Sequence, residues 1–107
     1  MTGYTEAFLK KMFIGLRFKV DHNSTSNLVY FYSDTQNFEE RDLEFVAITG
    51  GVLHIINKEW NVDVETHEIT ERWPEHHFIP IETITGINVN DPAPEIVEAW
   101  KKRMEAD

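Results

Sequence analysis

Cysteine is absent from the 107-residue sequence, and that removes several chemistries at once. Disulfides, thiolate metal sites, iron–sulfur clusters and cysteine nucleophiles are all excluded. No apolar run approaches the roughly 18 residues that a membrane-spanning helix needs, so no integral membrane segment is expected. The first residues do not read as a secretory signal, because Lys10 and Lys11 interrupt their apolar positions. These absences together support a cytoplasmic location. Basic residues are scarce too: ten Lys and Arg stand against nineteen Asp and Glu, for a net charge of −9. Phosphate contacts need Lys and Arg, so direct binding of nucleic acid is not expected. Glycine and proline number five and four. They are spread thinly enough to leave no linker and no low-complexity stretch.

What remains has the composition of one globular domain over residues 1–107, with 41% hydrophobic and 12% aromatic residues. The charge is unevenly placed. Residues 1–20 hold four basic residues against Glu6, while residues 21–93 hold fourteen acidic residues against Arg41, Lys58 and Arg72. The middle of the chain is an acidic body, which attracts a basic partner.

Phe8, Leu9, Met12, Phe13 and Leu16 recur at helical spacing and predict a helix over 5–18, with Thr5 as its N-cap. Strands are expected within 28–89. Leu28–Tyr32 is aromatic and β-branched. Ser33–Asp42 reads as a polar loop with Phe38 as its one large apolar residue. Leu43–Thr49 and Val52–Lys58 meet at Gly50-Gly51, which supplies the positive φ of a tight hairpin. Both faces of the second run are largely apolar, which places it in the middle of a sheet. Trp60–Trp73 alternates as a solvent-facing strand with a turn near Thr70-Glu71. Phe78–Ile81 is held near an edge by Pro80, and Glu82–Val89 forms the last strand. A C-terminal helix follows over 94–105, with Ile96, Val97, Trp100 and Met104 on one stripe. The expected class is α+β. It has about six antiparallel strands in a barrel or strongly bent sheet, an N-terminal helix and a C-terminal capping helix.

Two segments resemble bacterial pleckstrin-homology-like and GRAM-like domains. They are Phe45-Val46-Ala47-Ile48-Thr49-Gly50-Gly51-Val52-Leu53-His54-Ile55 and Ile79-Pro80-Ile81-Glu82-Thr83-Ile84-Thr85-Gly86-Ile87. The resemblance covers residues 43–105 and implies a PH-like barrel plugged by the helix around Trp100. Members that bind phosphoinositides carry basic residues around the first hairpins. The same segment is acidic in this chain, which leaves protein recognition as the implied use.

No coherent catalytic set stands out. Ser24, Ser26 and Ser33 lie in turn-like segments without a nucleophile elbow, and Gly50-Gly51 has no phosphate-loop pattern around it. The sequence is therefore read as non-enzymatic and without a cofactor. The expected function is a protein-binding module, an inhibitor, immunity or regulatory protein acting on a basic partner. Its docking surface is assigned to Glu39, Glu40, Asp42, Glu44, Trp60, Asp63, Glu65, Glu68 and Trp73, with Tyr30 and Tyr32 as further aromatic anchors.

Two other readings stay open. The first is a His/carboxylate metal-binding protein or hydrolase, with His67, His76 and His77 as ligands and Glu65, Glu68 and Glu75 in support. Adjacent His76 and His77 would point to opposite faces of a strand, and His54 sits in an apolar one. The second is a peripheral membrane module using the N-terminal helix, whose leftover Ile14 and Phe18 could equally serve homo-oligomerisation.

Overall fold

The computed structural model describes residues 4–20, 26–58, 60–71 and 74–106. The chain runs α1 (Glu6–Met12), β1 (Arg17–Lys19), β2 (Leu28–Ser33), β3 (Asn37–Glu40), β4 (Asp42–Thr49), β5 (Val52–Asn57), β6 (Trp60–Val62), β7 (Ile69–Glu71), β8 (Glu75–Pro80), β9 (Ile84–Asn90) and α2 (Pro94–Glu105). A single 3-10 turn, Ile81–Thr83, links β8 to β9. The class is α+β, as the pattern predicts. Seven strands form two antiparallel sheets, ordered β1-β4-β5-β8 and β3-β2-β9, and β6-β7 is a separate ribbon. Among the described residues the two sheets do not pair into a closed barrel.

Gly50 and Gly51, at φ of +58° and +74°, make the two-residue turn between β4 and β5, and Thr49 faces Val52 across it. L-residues other than glycine rarely adopt two successive positive φ values. β5 lies between β4 and β8, as its two apolar faces predict, and β8 forms a sheet edge with Pro80 at its end. In β4 the register shifts between Phe45 and Ala47. This bulge at Val46 lets Phe45 and Ile48, three positions apart, both face the core.

The inner faces share one core. Leu43, Phe45, Ile48, Leu53, Ile55 and Ile79 come from one sheet, and Val29, Phe31, Ile84 and Ile87 from the other. The helices close one end of this core with an aromatic cluster. Phe13 lies 5.0 Å from Phe45, Phe18 meets Phe45 edge-on at 5.6 Å, and Trp100 packs 6.4 Å from both Phe13 and Phe18. Offset and edge-on pairs of this kind stabilise a core beyond their buried area.

Several boundaries differ from expectation, each for a local reason. β8 begins at Glu75 rather than Phe78 and ends at Pro80 rather than Ile81, because β5 pairs with it from Asn57–Glu75 to Val52–Pro80 and Ile81 opens the 3-10 turn. α1 stops at Met12 rather than running to residue 18. Gly15 turns the backbone at φ +85°, and Leu16 and Gly15 then exchange backbone hydrogen bonds with Phe45. Phe18 thus enters the core from a strand. The polar segment after Ser33 contains β3, because the Ser33 hydroxyl closes the turn onto Gln36 and Phe38 packs beside Phe31. The turn after Trp60 falls at Asp63–Glu68 instead of Thr70-Glu71. The Asp63 carboxylate accepts the N–H groups of Glu65 (2.8 Å) and Thr66 (3.2 Å), and His67 takes the left-handed φ of +58°. The last strand begins at Ile84 rather than residue 82, after the 3-10 turn. The C-terminal helix occupies its expected span. No described helix is long and apolar enough to cross a membrane.

Candidate functional site

The alternation of each strand decides which carboxylates reach the surface. Glu40, at the end of β3, turns inward and is 7% exposed. Its carboxylate accepts a hydrogen bond of 2.8 Å from Asn57 Nδ2. Asp42 is 1% exposed and receives both arms of Arg17, at 2.8 Å from Nε and 2.6 Å from Nη2. The sequence places both residues on the docking surface, whereas in the structure both carboxylates are closed off from solvent and bonded within the chain. A strand pair in which Arg17 and Lys19 lie opposite Glu44 and Asp42 accounts for the change: the chain's own guanidinium satisfies Asp42.

Glu39 is exposed and Glu44 half-buried. Asp63, Glu65 and Glu68 are exposed on the ribbon turn, beside Val64 at 87% exposure. Hydrogen bonds from the backbone N–H groups of Glu65 and then Thr66 hold the Asp63 carboxyl below its ordinary pKa. Trp60 begins β6, and Trp73 lies outside the described residues. The exposed carboxylates of the expected band are therefore Glu39 on β3 and those of the β6-β7 turn, with Glu44 half-buried on β4.

Glu39 belongs to an aromatic sheet face. It lies opposite Tyr30, which lies opposite Asn88 on its other side. In the next row Asn37, Tyr32 and Gly86 stand side by side. A Cβ at Gly86 would come within 3.2 Å of Tyr32 Cδ2, so the Tyr32 ring lies over bare backbone. Tyr32 is 38% exposed and Tyr30 half-buried. Val29 and Phe31, of the opposite parity, fill the core.

The histidines separate as strand geometry requires. His77 faces inward, with its ring 4.8 Å from Phe38 and its Nε2 3.5 Å from Glu75 Oε2. His76 faces outward. Across the sheet it meets His54, whose Nε2 lies 2.8 Å from His76 Nδ1. The register places His54 directly opposite Phe78 and His76 opposite Ile56. The His54 ring stacks on Phe78 at 4.6 Å and 17°, and Phe78 itself is 66% exposed. The sequence alone groups His76 with His67 and His77, whereas the structure pairs it with His54. The pairing depends on the β5-β8 register, which no local signal encodes. Among the described residues no three His, Asp or Glu side chains gather in the manner of a full protein metal cage.

The N-terminal helix packs as a covering layer. Leu9 and Phe13 are buried, Met12 is partly buried against the core, and Phe8 stays 44% exposed. Of the two residues left over for self-association, Phe18 is fully buried and Ile14 packs against the core. No family model matches the chain, and neither curated proteins nor solved structures give a match.

Proposed function

We propose that the chain is a non-enzymatic protein-binding module that docks a basic partner through the outer face of the β3-β2-β9 sheet. The supporting observation is Tyr32 seated over Gly86 with Tyr30 and Glu39 in the adjoining row. Tyrosines on a rigid sheet offer large contact area at little cost in conformational entropy. Gly86 adds to this by giving the Tyr32 ring a fixed resting place. The net charge of −9 steers a basic protein toward the module, and Glu39 supplies a charge beside the aromatic contact. An inhibitor or regulatory role follows from such a docking mode. The motif resemblance of residues 43–105 to pleckstrin-homology-like domains, whose surviving use here is protein recognition, belongs to the same proposal.

The test is affinity capture from the native host at low and high salt, with wild type compared against Tyr32→Ala and Glu39→Lys. A basic partner should be captured at low salt, released at high salt, and weakened by both substitutions. Capture indifferent to salt and to both variants would sink the proposal.

A further inference from the structure

The outer face of the other sheet carries a separate feature that protein docking does not require. His54 on β5 and His76 on β8 present Nε2 and Nδ1 to each other at 2.8 Å. Both rings are reachable: His76 is exposed and His54 half-exposed. Their orientation is fixed on one side by Phe78, whose ring lies nearly parallel to that of His54. On the other side it is fixed by the backbone ladder that runs from Val52–Pro80 to Asn57–Glu75 without a register shift.

We propose that His54 and His76 form a two-imidazole chelate for a first-row divalent cation, copper(II) above all, with water completing the coordination. Imidazole nitrogens bind such metals at about 2.0 Å. Two ligands at right angles on one ion therefore stand about 2.8 to 2.9 Å apart, and two at the tetrahedral angle about 3.3 Å. The His54–His76 separation matches the right-angle case, which is the geometry of tetragonal copper(II) and nickel(II). Copper(II) also binds nitrogen donors most tightly in the divalent series.

To accept the ion the two rings turn so that each facing nitrogen aims about 45° off the N···N line, toward a common point. In the empty neutral pair one ring donates its N–H to the lone pair of the other. On binding, that donor ring shifts its proton to its second nitrogen, so His54 keeps Nδ1–H or His76 keeps Nε2–H and both facing nitrogens present lone pairs. No proton is lost and no bond other than the two metal–nitrogen bonds is formed. The surrounding face suits this use. Val52, Ile56 and Phe78 flank the pair along the two strands, and a sheet fixes side chains more closely than a loop does.

The experiment titrates the untagged, metal-free protein with copper(II) chloride, followed by calorimetry and pulsed electron paramagnetic resonance. One copper should bind per chain, with the spectrum showing two equatorial imidazoles. His54→Gln and His76→Gln should each weaken binding roughly a hundredfold, the loss of a chelating arm. His67→Gln and His77→Gln, with one ring on the ribbon turn and the other turned inward, should bind as wild type does. Circular dichroism confirms that each variant is folded. A one-imidazole spectrum, an absence of stoichiometric binding, or unchanged affinity in both His54→Gln and His76→Gln would overturn the proposal. The tyrosine face lies on the other sheet, so failure here leaves the docking proposal standing, and the reverse.

Discussion

The indole N–H of Trp100, on α2, donates to the main-chain carbonyl of Met12, the last residue of α1, at 2.6 Å. Arg103, one turn further along α2, donates to the carbonyls of Ile14 (2.7 Å) and Lys11 (3.3 Å). A helix ends with carbonyls that lack partners within it. In this protein the second helix supplies donors to the end of the first. Trp100→Phe keeps the ring against Phe13 and Phe18 but removes the donor. It should lower stability by about 1 kcal/mol, and Trp100→Ala by about 3 kcal/mol. Urea denaturation followed by circular dichroism measures both, and an unchanged midpoint in Trp100→Phe would show that the hydrogen bond contributes nothing.

The Arg17–Asp42 pair is asymmetric. The carboxylate is 1% exposed while the Arg17 side chain is 40% exposed. Removing the exposed partner strands a charge inside the protein, and removing the buried one does not. Arg17→Met should therefore cost about 3 kcal/mol, and Asp42→Asn about 1 to 2 kcal/mol. The order of the two denaturation midpoints checks this, and the reverse order would contradict it.

Protonating Asp63 should loosen the ribbon turn. Its folded-state pKa lies below the ordinary value of 3.8, chiefly through the Glu65 N–H and then the Thr66 N–H. A depressed carboxyl pKa contributes stability above the unfolded value, and that contribution fades as pH falls through the folded one. Carbon-detected NMR titration of the Asp63 carboxyl should give a midpoint under 3.8. The Glu65 and Thr66 amides should lose their exchange protection over the same range. Asp63→Ala should abolish that protection at neutral pH.

Gly50 and Gly51 test the hairpin. A Cβ at either position would meet nothing within 4 Å, so any cost of substitution comes from the backbone alone. Gly50→Ala and Gly51→Ala should each destabilise by about 1 to 2 kcal/mol. Thermal unfolding reads the loss, and an unchanged midpoint would mean that the turn re-forms without positive φ.

Much of the fold is legible wherever a local signal has a single structural solution. Gly50-Gly51 between two apolar runs leaves little but a hairpin, and the stripe of Ile96, Val97 and Trp100 behind Pro94 leaves little but a helix. The N-terminal stripe misleads because Phe13 and Phe18 both serve the core, one just after a helix and the other in a strand. Their spacing still resembles one continuous helix. β3 is hidden because its inward residues are Phe38 and Glu40, and a buried carboxylate breaks the apolar alternation by which strands are recognised.

The candidate sites are less legible, since they depend on what lies across a ladder. Glu40 and Asp42 look like surface charge until Asn57 and Arg17 are seen to satisfy them. His54 and His76, twenty-two positions apart, meet only through the β5-β8 register. Tyr30, Tyr32 and Glu39 come together because β2 and β3 pair closely around the Ser33 turn. The Ser33 hydroxyl is the one local hint of that pairing.

Asn27 ties distant parts of the chain together. The Ala93 side chain cannot cap α2, and the backbone N–H of Ala93 goes instead to Asn27 Oδ1 at 2.8 Å. Asn27 itself stands at φ +68°, with its own N–H on the carbonyls of Asn90 and Asp91. The start of α2 is thus completed by a residue 66 positions earlier, and the end of α1 by residues about 90 positions later. Short helices are marginal on their own. Each helix therefore depends for its hydrogen bonding on the far end of the chain, so a change that loosens one terminal segment is felt at the other.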